Sequence, residues 1–172
     1  MTATIKQTAR PLSPRDITLI YLLFSLFFAF AGFLYADLTS DSVSFDFSGI
    51  EAPGIGPIFV NNIAFFSLIC ITPFLNFAMS AVQFVAIGNN IFQIRELPLG
   101  LQAVLLYRHA VFEVIALMLS VYISYEVYRI LRDYLHKSIR PERKRWIRIL
   151  ICYAAVALLT LSGACLEGTV NV

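Results

Sequence analysis

The chain has 172 residues, of which 59% are hydrophobic and 14% are charged. An ordinary soluble domain carries roughly 25% charged residues, so this composition excludes an ordinary soluble domain. It predicts a single membrane domain, and the length leaves no room for a second globular unit. The net charge of +2 conceals a separation by sign. No lysine or arginine occurs between Arg15 and Arg95, and eight occur within Arg129–Arg148.

The basic stretch indicates how the chain is oriented, because basic loops are retained on the cytoplasmic side of membranes. We therefore expect residues 129-148 to form a basic cytoplasmic loop and residues 1-16 to form a cytoplasmic N-terminal tail. A basic cluster is also found in nucleic-acid-binding proteins, but apolar runs flank this one on both sides. Retention of the loop and contact with lipid headgroups explain it better, so the expected partner is the lipid bilayer and not nucleic acid.

The first predicted span is Ile17–Ala36, twenty residues without a charge. As a helix it would be about 30 Å long, which matches the hydrocarbon core of a bilayer. A cleaved signal peptide is the competing interpretation, although signal cores are usually shorter, about 7–15 residues. An acidic outer loop, residues 37-57, follows the span. Small residues recur along the span and form a stripe that another helix can approach closely: Ser25, Ala29, Gly32 and Ala36.

The segment Ile58–Ile94 is too long for one crossing, because its thirty-seven residues would make a helix of about 55 Å. Pro73 interrupts it near the middle. If the N-terminal tail and the basic loop both lie inside, the chain between them must cross the membrane an even number of times. The first span and the span that ends near Tyr128 each cross once, so Ile58–Ile94 must cross twice or enter and return on the same side. We therefore predict two short helices broken around Thr72–Pro73, with a re-entrant hairpin as the alternative.

The remaining spans complete the predicted architecture. The fourth begins within Ala103–Ala110, runs to about Tyr128 and continues as a helix beyond the membrane through Arg129–His136, and the fifth is Trp146–Leu166. The predicted fold is all-α, a polytopic membrane helix bundle of about five transmembrane helices in the cell membrane. Residues 17-172 form its single membrane domain, with the N-terminus cytoplasmic and the C-terminus outside.

Ionisable residues at the start of the fourth span are the best candidates for function. His109 and Glu113 lie four residues apart and share one helix face beside Arg108. A carboxylate in lipid is costly unless it is paired, protonated or hydrated, so Glu113 should face the bundle interior. Glu167 ends the fifth span on the same side. We expect these four residues to form a buried polar cluster, either an interhelical hydrogen-bond clamp or a proton- or cation-responsive transport site. Glu126, in contrast, is expected to reach the cytoplasmic surface and to matter less for stability.

Two asparagine pairs, Asn61-Asn62 and Asn89-Asn90, lie in apolar surroundings. Asparagine is expensive in lipid, and an interhelical hydrogen bond is its usual remedy. We therefore expect all four side chains to make interhelical polar contacts.

Enzymatic and metal-binding functions find little support in the sequence. The chain has no GxSxG elbow, no HExxH motif and no phosphate-cradling glycine loop, so no catalytic residue is expected. Its three cysteines, Cys70, Cys152 and Cys165, lie in apolar runs without CxxC spacing, and only two histidines are present. We therefore expect neither a metal site nor a cofactor.

Four short motifs occur in order along the chain. They are Asn61-Asn62, Gly88-Asn89-Asn90, Arg108-His109-Ala110-Val111-Phe112-Glu113 and Gly163-Ala164-Cys165-Leu166-Glu167. In their order and spacing, from about Phe59 to Val170, the chain resembles the stage II sporulation protein M family of small polytopic membrane proteins. Where that family has Pro-His-Gly-x-x-Glu, this chain has Arg108 and Ala110 in place of the proline and the glycine. Asn90 likewise replaces the glycine of the family's Asn-Gly motif.

The resemblance implies a non-enzymatic role. Members anchor cell-wall hydrolases during engulfment, or accompany an ATP-hydrolysing partner in the export of, or immunity to, circular bacteriocins. The leading hypothesis is a non-catalytic membrane subunit of an export or cell-envelope complex, whose separate ATPase or hydrolase partner docks on the basic loop. The alternative is a self-sufficient proton- or cation-coupled transporter that uses the buried His/Glu site. An intramembrane enzyme is disfavoured, and the substrate, the partner and assembly into a homo-oligomer are left open.

Overall fold

The computed structural model of the protein describes residues 14–39, 54–137 and 142–168. These residues are helical, with short turns between the helices and no strand within the described ranges, which confirms the all-α prediction. The helices are α1 (Pro14–Thr39), α2 (Ile55–Ile71), α3 (Asn76–Ile94), α4 (Leu99–Gln102), α5 (Arg108–Lys137) and α6 (Arg143–Glu167). A π-helical segment, Ala103–Tyr107, joins α4 to α5 without interrupting the helix.

The predicted break around Thr72–Pro73 is confirmed. α2 ends at Ile71, and the backbone N–H of Thr72 donates to the Leu68 carbonyl at 3.1 Å. A proline has no N–H for the helical ladder, so the chain turns through Pro73 before α3 begins at Asn76. The segment is therefore two helices.

Contacts between the helices give the direction of each. Ring pairs join Tyr21 to Phe84 and Phe33 to Phe92, so α1 and α3 run parallel. Hydrogen bonds between α5 and α6 join Arg108 to Leu166 at one end and Asp133 to Arg145 at the other, so these two helices are antiparallel. α2 runs parallel to α5, because Asn62 bonds Glu113 and Cys70 lies against Ser120.

The directions define two ends of the bundle. Asn76, at the start of α3, hydrogen-bonds Ser124 in the second half of α5, so α3 is antiparallel to α5. The Arg108 end holds the last turns of α1, α3 and α6 and the first turns of α2 and α5. The Arg143 end holds the opposite terminus of each helix.

Four helical stretches are long and apolar enough to cross a membrane: Leu19–Thr39, Asn76–Ile94, Leu99–His136 and Arg143–Glu167. The remaining predicted span, α2, has only 17 residues, about 25 Å as a helix, and packs against both α5 and α6. Large apolar side chains such as Leu26 and Phe27 on α1 are about two-thirds exposed. In an aqueous protein such a surface would be unfavourable, whereas lipid is its natural solvent.

The small-residue stripe of α1 packs as predicted. Gly32 lies against the backbone of Val85, and Gly88 lies against the backbone of Ala29, so α1 and α3 touch main chain to main chain. Side chains larger than hydrogen at these two glycines would hold the helices apart. Helices in lipid gain no hydrophobic driving force from association, so van der Waals contact at this close approach stabilises the α1–α3 pair instead.

Several boundaries differ from the predictions. α1 begins at Pro14 and extends to Thr39, beyond the predicted Ile17–Ala36, and α2 begins at Ile55. The helix predicted to continue past Tyr128 does so, as far as Lys137. Residues 1–13 of the N-terminal tail, 40–53 of the acidic loop and 138–141 of the basic loop lie outside the described residues.

Candidate functional site

The start of α5 positions the predicted polar cluster. Gln102, buried at the end of α4, donates to the carbonyls of Leu97 at 2.7 Å and Arg95 at 3.2 Å, and it accepts a hydrogen bond from Tyr107 at 2.8 Å. The π-helical segment Ala103–Tyr107 follows directly. A π-turn takes more residues than an α-turn and so changes the direction of the side chains that follow it. Gln102 and this segment together determine where Arg108 and His109 lie.

Glu113 is the centre of the cluster. The side-chain amide of Asn62 donates to its Oε1 at 2.7 Å, joining α2 to α5. The carboxylate is half-buried rather than exposed to the lipid-facing surface. The Glu113 side chain therefore lies against α2, and one of the paired asparagines is its hydrogen-bond partner.

His109 lies one turn earlier on α5 and is buried. Its Nδ1 atom has no hydrogen-bond partner among the described residues. On α6, an added Cβ at Gly163 would lie 3.8 Å from the His109 carbonyl oxygen and 3.9 Å from Glu113 Cγ, so α6 passes in close contact with this face. The small residue at Gly163 lets the two helices meet at the site.

The structure also brings Glu167 and Arg108 to this end. Glu167 is half-buried and lies near enough to both His109 and Glu113 to interact with them electrostatically. Arg108 is exposed, and its guanidinium donates to the Leu166 carbonyl at 2.7 Å, at the end of α6. Lysine, arginine and histidine near a helix C-terminus satisfy its last carbonyls in this way. The four predicted residues thus share one end of the α2–α5–α6 interface. Burial of all four was predicted, and the exposure of Arg108 corrects that expectation, because its guanidinium reaches the end of α6 instead of the interior.

The other asparagines behave differently from Asn62. Asn61 is exposed, and its side-chain amide donates to Oδ1 of its neighbour Asn62 at 3.4 Å. Asn89 is half-buried and Asn90 is exposed, and neither side chain makes a hydrogen bond within the part of the chain that the structure describes. Within that part of the chain, the interhelical contact expected of all four is present at Asn62 alone.

The placement of Glu126 corrects the expectation that it reaches the surface. Its side chain is only 6% exposed and accepts a hydrogen bond from Arg129 at 3.0 Å. Because Arg129 lies three residues further along α5, the arginine reaches back to the carboxylate. The Glu126 carboxylate is thus buried in the protein and paired with the Arg129 guanidinium.

A second polar cluster was missed by the sequence analysis. Tyr21, Asn76, Ser80 and Ser124 are all buried where α1, α3 and α5 meet, and Asn76 donates to Ser124 at 3.2 Å. We call these four residues the hydroxyl–amide cluster. Its signal in the sequence was weak, because single serines, an asparagine and a tyrosine at separate positions form no motif.

The chemistry available at the Arg108 end is hydrogen bonding and proton binding by carboxylate and imidazole groups. In the described ranges, no group of three or more His, Cys, Asp or Glu residues has the geometry to hold a metal ion. Comparison with known proteins finds no matching family model, no matching curated protein and no matching solved structure. The resemblance to the stage II sporulation protein M family therefore stays a prediction.

Proposed function

We propose that this chain is a non-catalytic membrane subunit of an export or cell-envelope complex, with the Arg143 end in the cytoplasm. The N-terminus would then be cytoplasmic and the C-terminus outside. The support for this orientation is the concentration of basic residues at the Arg143 end, since basic segments are retained on the cytoplasmic side.

The observation that carries the proposal is a charged helical surface formed by the end of α5 and the start of α6. Asp133 on α5 accepts hydrogen bonds from Arg145 on α6 at 3.2 Å and from its neighbour Arg132 at 3.3 Å. The Asp133–Arg145 pair joins the two helices, and the Arg132–Asp133 pair lies within α5. They leave the side chains of Arg143 and Lys144 exposed on the first turn of α6.

The lengths of the two helices support a surface that projects from the membrane. α5 has 30 residues and α6 has 25, or about 45 Å and 37 Å, against a hydrocarbon core of about 30 Å. With the polar cluster near the Arg108 end, the excess length extends at the Arg143 end. A preformed basic surface suits a membrane-associated ATPase or hydrolase that presents acidic residues, because charge complementarity guides association. This is the role that the family resemblance implies.

The test is affinity purification in mild detergent of the wild-type chain and of an Arg143→Glu/Lys144→Glu variant. We expect the wild type to recover a partner identified as an ATPase, a hydrolase or an exported peptide, and we expect the variant to lose most of it. Arg95→Glu, a charge reversal of an exposed arginine near the opposite end, is the matched control and should keep the partner. Recovery of the wild type alone, or equal recovery of the partner with the double variant, would contradict the proposal.

A further inference from the structure

The inward face of α5 carries three polar residues and one apolar residue in a single stripe. Glu113, Leu117, Ser120 and Ser124 follow one another at spacings of four, three and four, so they form one stripe on the helix. Glu113 is half-buried and the other three are fully buried. From Glu113 to Ser124 the stripe extends about 17 Å, more than half the thickness of a bilayer core.

The neighbouring helices continue this pattern at matching levels. Asn62 on α2 contacts Glu113, and Cys70 contacts Ser120. Phe66 and Leu117 each lie four residues beyond the Asn62–Glu113 pair on parallel helices, so they face each other one turn deeper. Both are at most 1% exposed, as is Val156 on α6. We call Phe66, Leu117 and Val156 the apolar layer.

Beyond the apolar layer lies the hydroxyl–amide cluster, which is not internally satisfied. Tyr21 Oη, Asn76 Oδ1 and Ser80 Oγ are buried without a hydrogen-bond partner among the described residues. The Tyr21 hydroxyl lies close to Ser80 but outside hydrogen-bond geometry. A buried polar atom without a partner is expensive, especially in lipid, and bound water is the usual remedy. Three such atoms in one cluster indicate a hydrated site.

The polar groups at the two ends of the stripe differ in kind. The Arg108 end has ionisable groups: Glu113 is faced by Glu167 on α6 and by the neutral Asn62 on α2, and His109, one turn earlier on α5, is faced by Glu167 and Arg108. The hydroxyl–amide cluster has neutral groups that can both donate and accept hydrogen bonds. A row of hydroxyl groups and water molecules can pass protons along its hydrogen bonds. A metal cation such as Ca²⁺ or Mg²⁺ would instead need about six oxygen ligands around it.

We propose that the bundle contains a water-mediated proton path from Glu113 to the hydroxyl–amide cluster, closed by the apolar layer in this conformation. A hydrophobic constriction of this kind closes by excluding water, because apolar walls do not replace the hydrogen bonds that water loses on entry. The carboxylate of Glu113 binds and releases the proton on one side of the layer. Proton movement along this path does not depend on the proposed partner complex. The purification experiment therefore tests the partner complex alone, and the flux experiment below tests the proton path alone.

The test uses the purified chain in liposomes with a pH gradient, a clamped membrane potential and an internal pH-sensitive dye. We expect slow proton flux through the wild type, and a rise of about tenfold in Leu117→Ala, because a smaller side chain lets water cross the apolar layer. Leu158→Ala is the matched control. It removes the same atoms from α6 at a position that is 67% exposed, and it should leave the flux unchanged.

Two further substitutions test the ends of the path in the Leu117→Ala background. Glu113→Gln removes the proton-binding carboxylate, and Asn76→Leu replaces the amide of the hydroxyl–amide cluster. Each should return the flux to the wild-type level. If Leu117→Ala does not fold, Leu117→Val replaces it with a smaller loss of volume. A folded Leu117 variant that conducts no faster than wild type would overturn the proposal, as would enhanced flux that persists after Glu113→Gln.

Discussion

The contact between α1 and α3 gives the sharpest stability prediction, the effect of Gly88→Ala. A Cβ at position 88 would lie 2.7 Å from the Ala29 carbonyl carbon and 2.9 Å from the Phe33 nitrogen, and closer still to the Ala29 carbonyl oxygen. Non-bonded carbon atoms prefer about 3.5–4.0 Å. All three obstructing atoms belong to the main chain, so no side chain can rotate away, and α1 and α3 must separate by roughly 1 Å.

The expected magnitude follows from two opposing effects. Overpacking of this kind costs about 1–3 kcal/mol, and the rigid backbone places Gly88→Ala at the upper end of that range. Alanine also favours the helix by about 1 kcal/mol over glycine. We expect a net loss of about 2 kcal/mol, which corresponds to a melting temperature lower by about 4–8 °C for a chain of this length.

The assay is thermal unfolding in mild detergent, with Gly56→Ala as the matched control. Gly56 lies in the first turn of α2, and a Cβ there would meet no atom within 4 Å. The same substitution should therefore be neutral or stabilising by up to about 1 kcal/mol, since only the helix preference remains. If Gly88→Ala melted at or above the wild-type temperature, α1 and α3 would not be in main-chain contact.

Other predictions concern side chains whose surroundings the structure defines. Asn62→Ala should lower the free energy of unfolding by about 1–3 kcal/mol, because it leaves the Glu113 carboxylate without its 2.7 Å partner. Asn61→Ala, next to it but exposed, should change stability by less than about 0.5 kcal/mol, and equal melting temperatures for the two would contradict the bond. Glu126→Ala should also destabilise the bundle by more than Asn61→Ala does, because it leaves Arg129 unpaired against a buried site. A water-soluble thiol reagent should modify the exposed Cys165 and spare the buried Cys70, as measured by mass spectrometry of the labelled peptides. Labelling of Cys70 before Cys165 would contradict the packing of α2.

The order of the five long helices, α1, α2, α3, α5 and α6, could be predicted because their signals are local and strong. Apolar runs of bilayer length predict spans, and Pro73 predicts the break. The small-residue stripe through Ala29 and Gly32 correctly indicated a close helix contact, but only the structure shows that α3 is the helix that makes it. Helix faces follow from sequence periodicity, whereas the choice of neighbour depends on the packing of the whole bundle.

Side-chain partners were harder to predict for the same reason. His109 and Glu113 could be placed on one face from their spacing alone, and the cost of charge in lipid placed that face inward. The pairing of Glu113 with Asn62 rather than with any other polar residue depends on the register of α2 against α5. The burial of Glu126 likewise depends on how α6 packs beside it, because the distance to the helix end alone favoured the surface.

The two polar clusters call for different explanations. A hydrogen-bond clamp accounts for Asn62 and Glu113, because their bond joins two helices and satisfies a carboxylate that would otherwise destabilise the bundle. The same account fails for the hydroxyl–amide cluster, because the Tyr21 and Ser80 hydroxyl groups are buried without a hydrogen-bond partner among the described residues. Valine or phenylalanine at such positions would leave no polar atom that needs a partner, whereas a buried hydroxyl without one costs free energy. Bound water can satisfy such groups, and hydrated polar groups at that depth are what the proposed proton path requires.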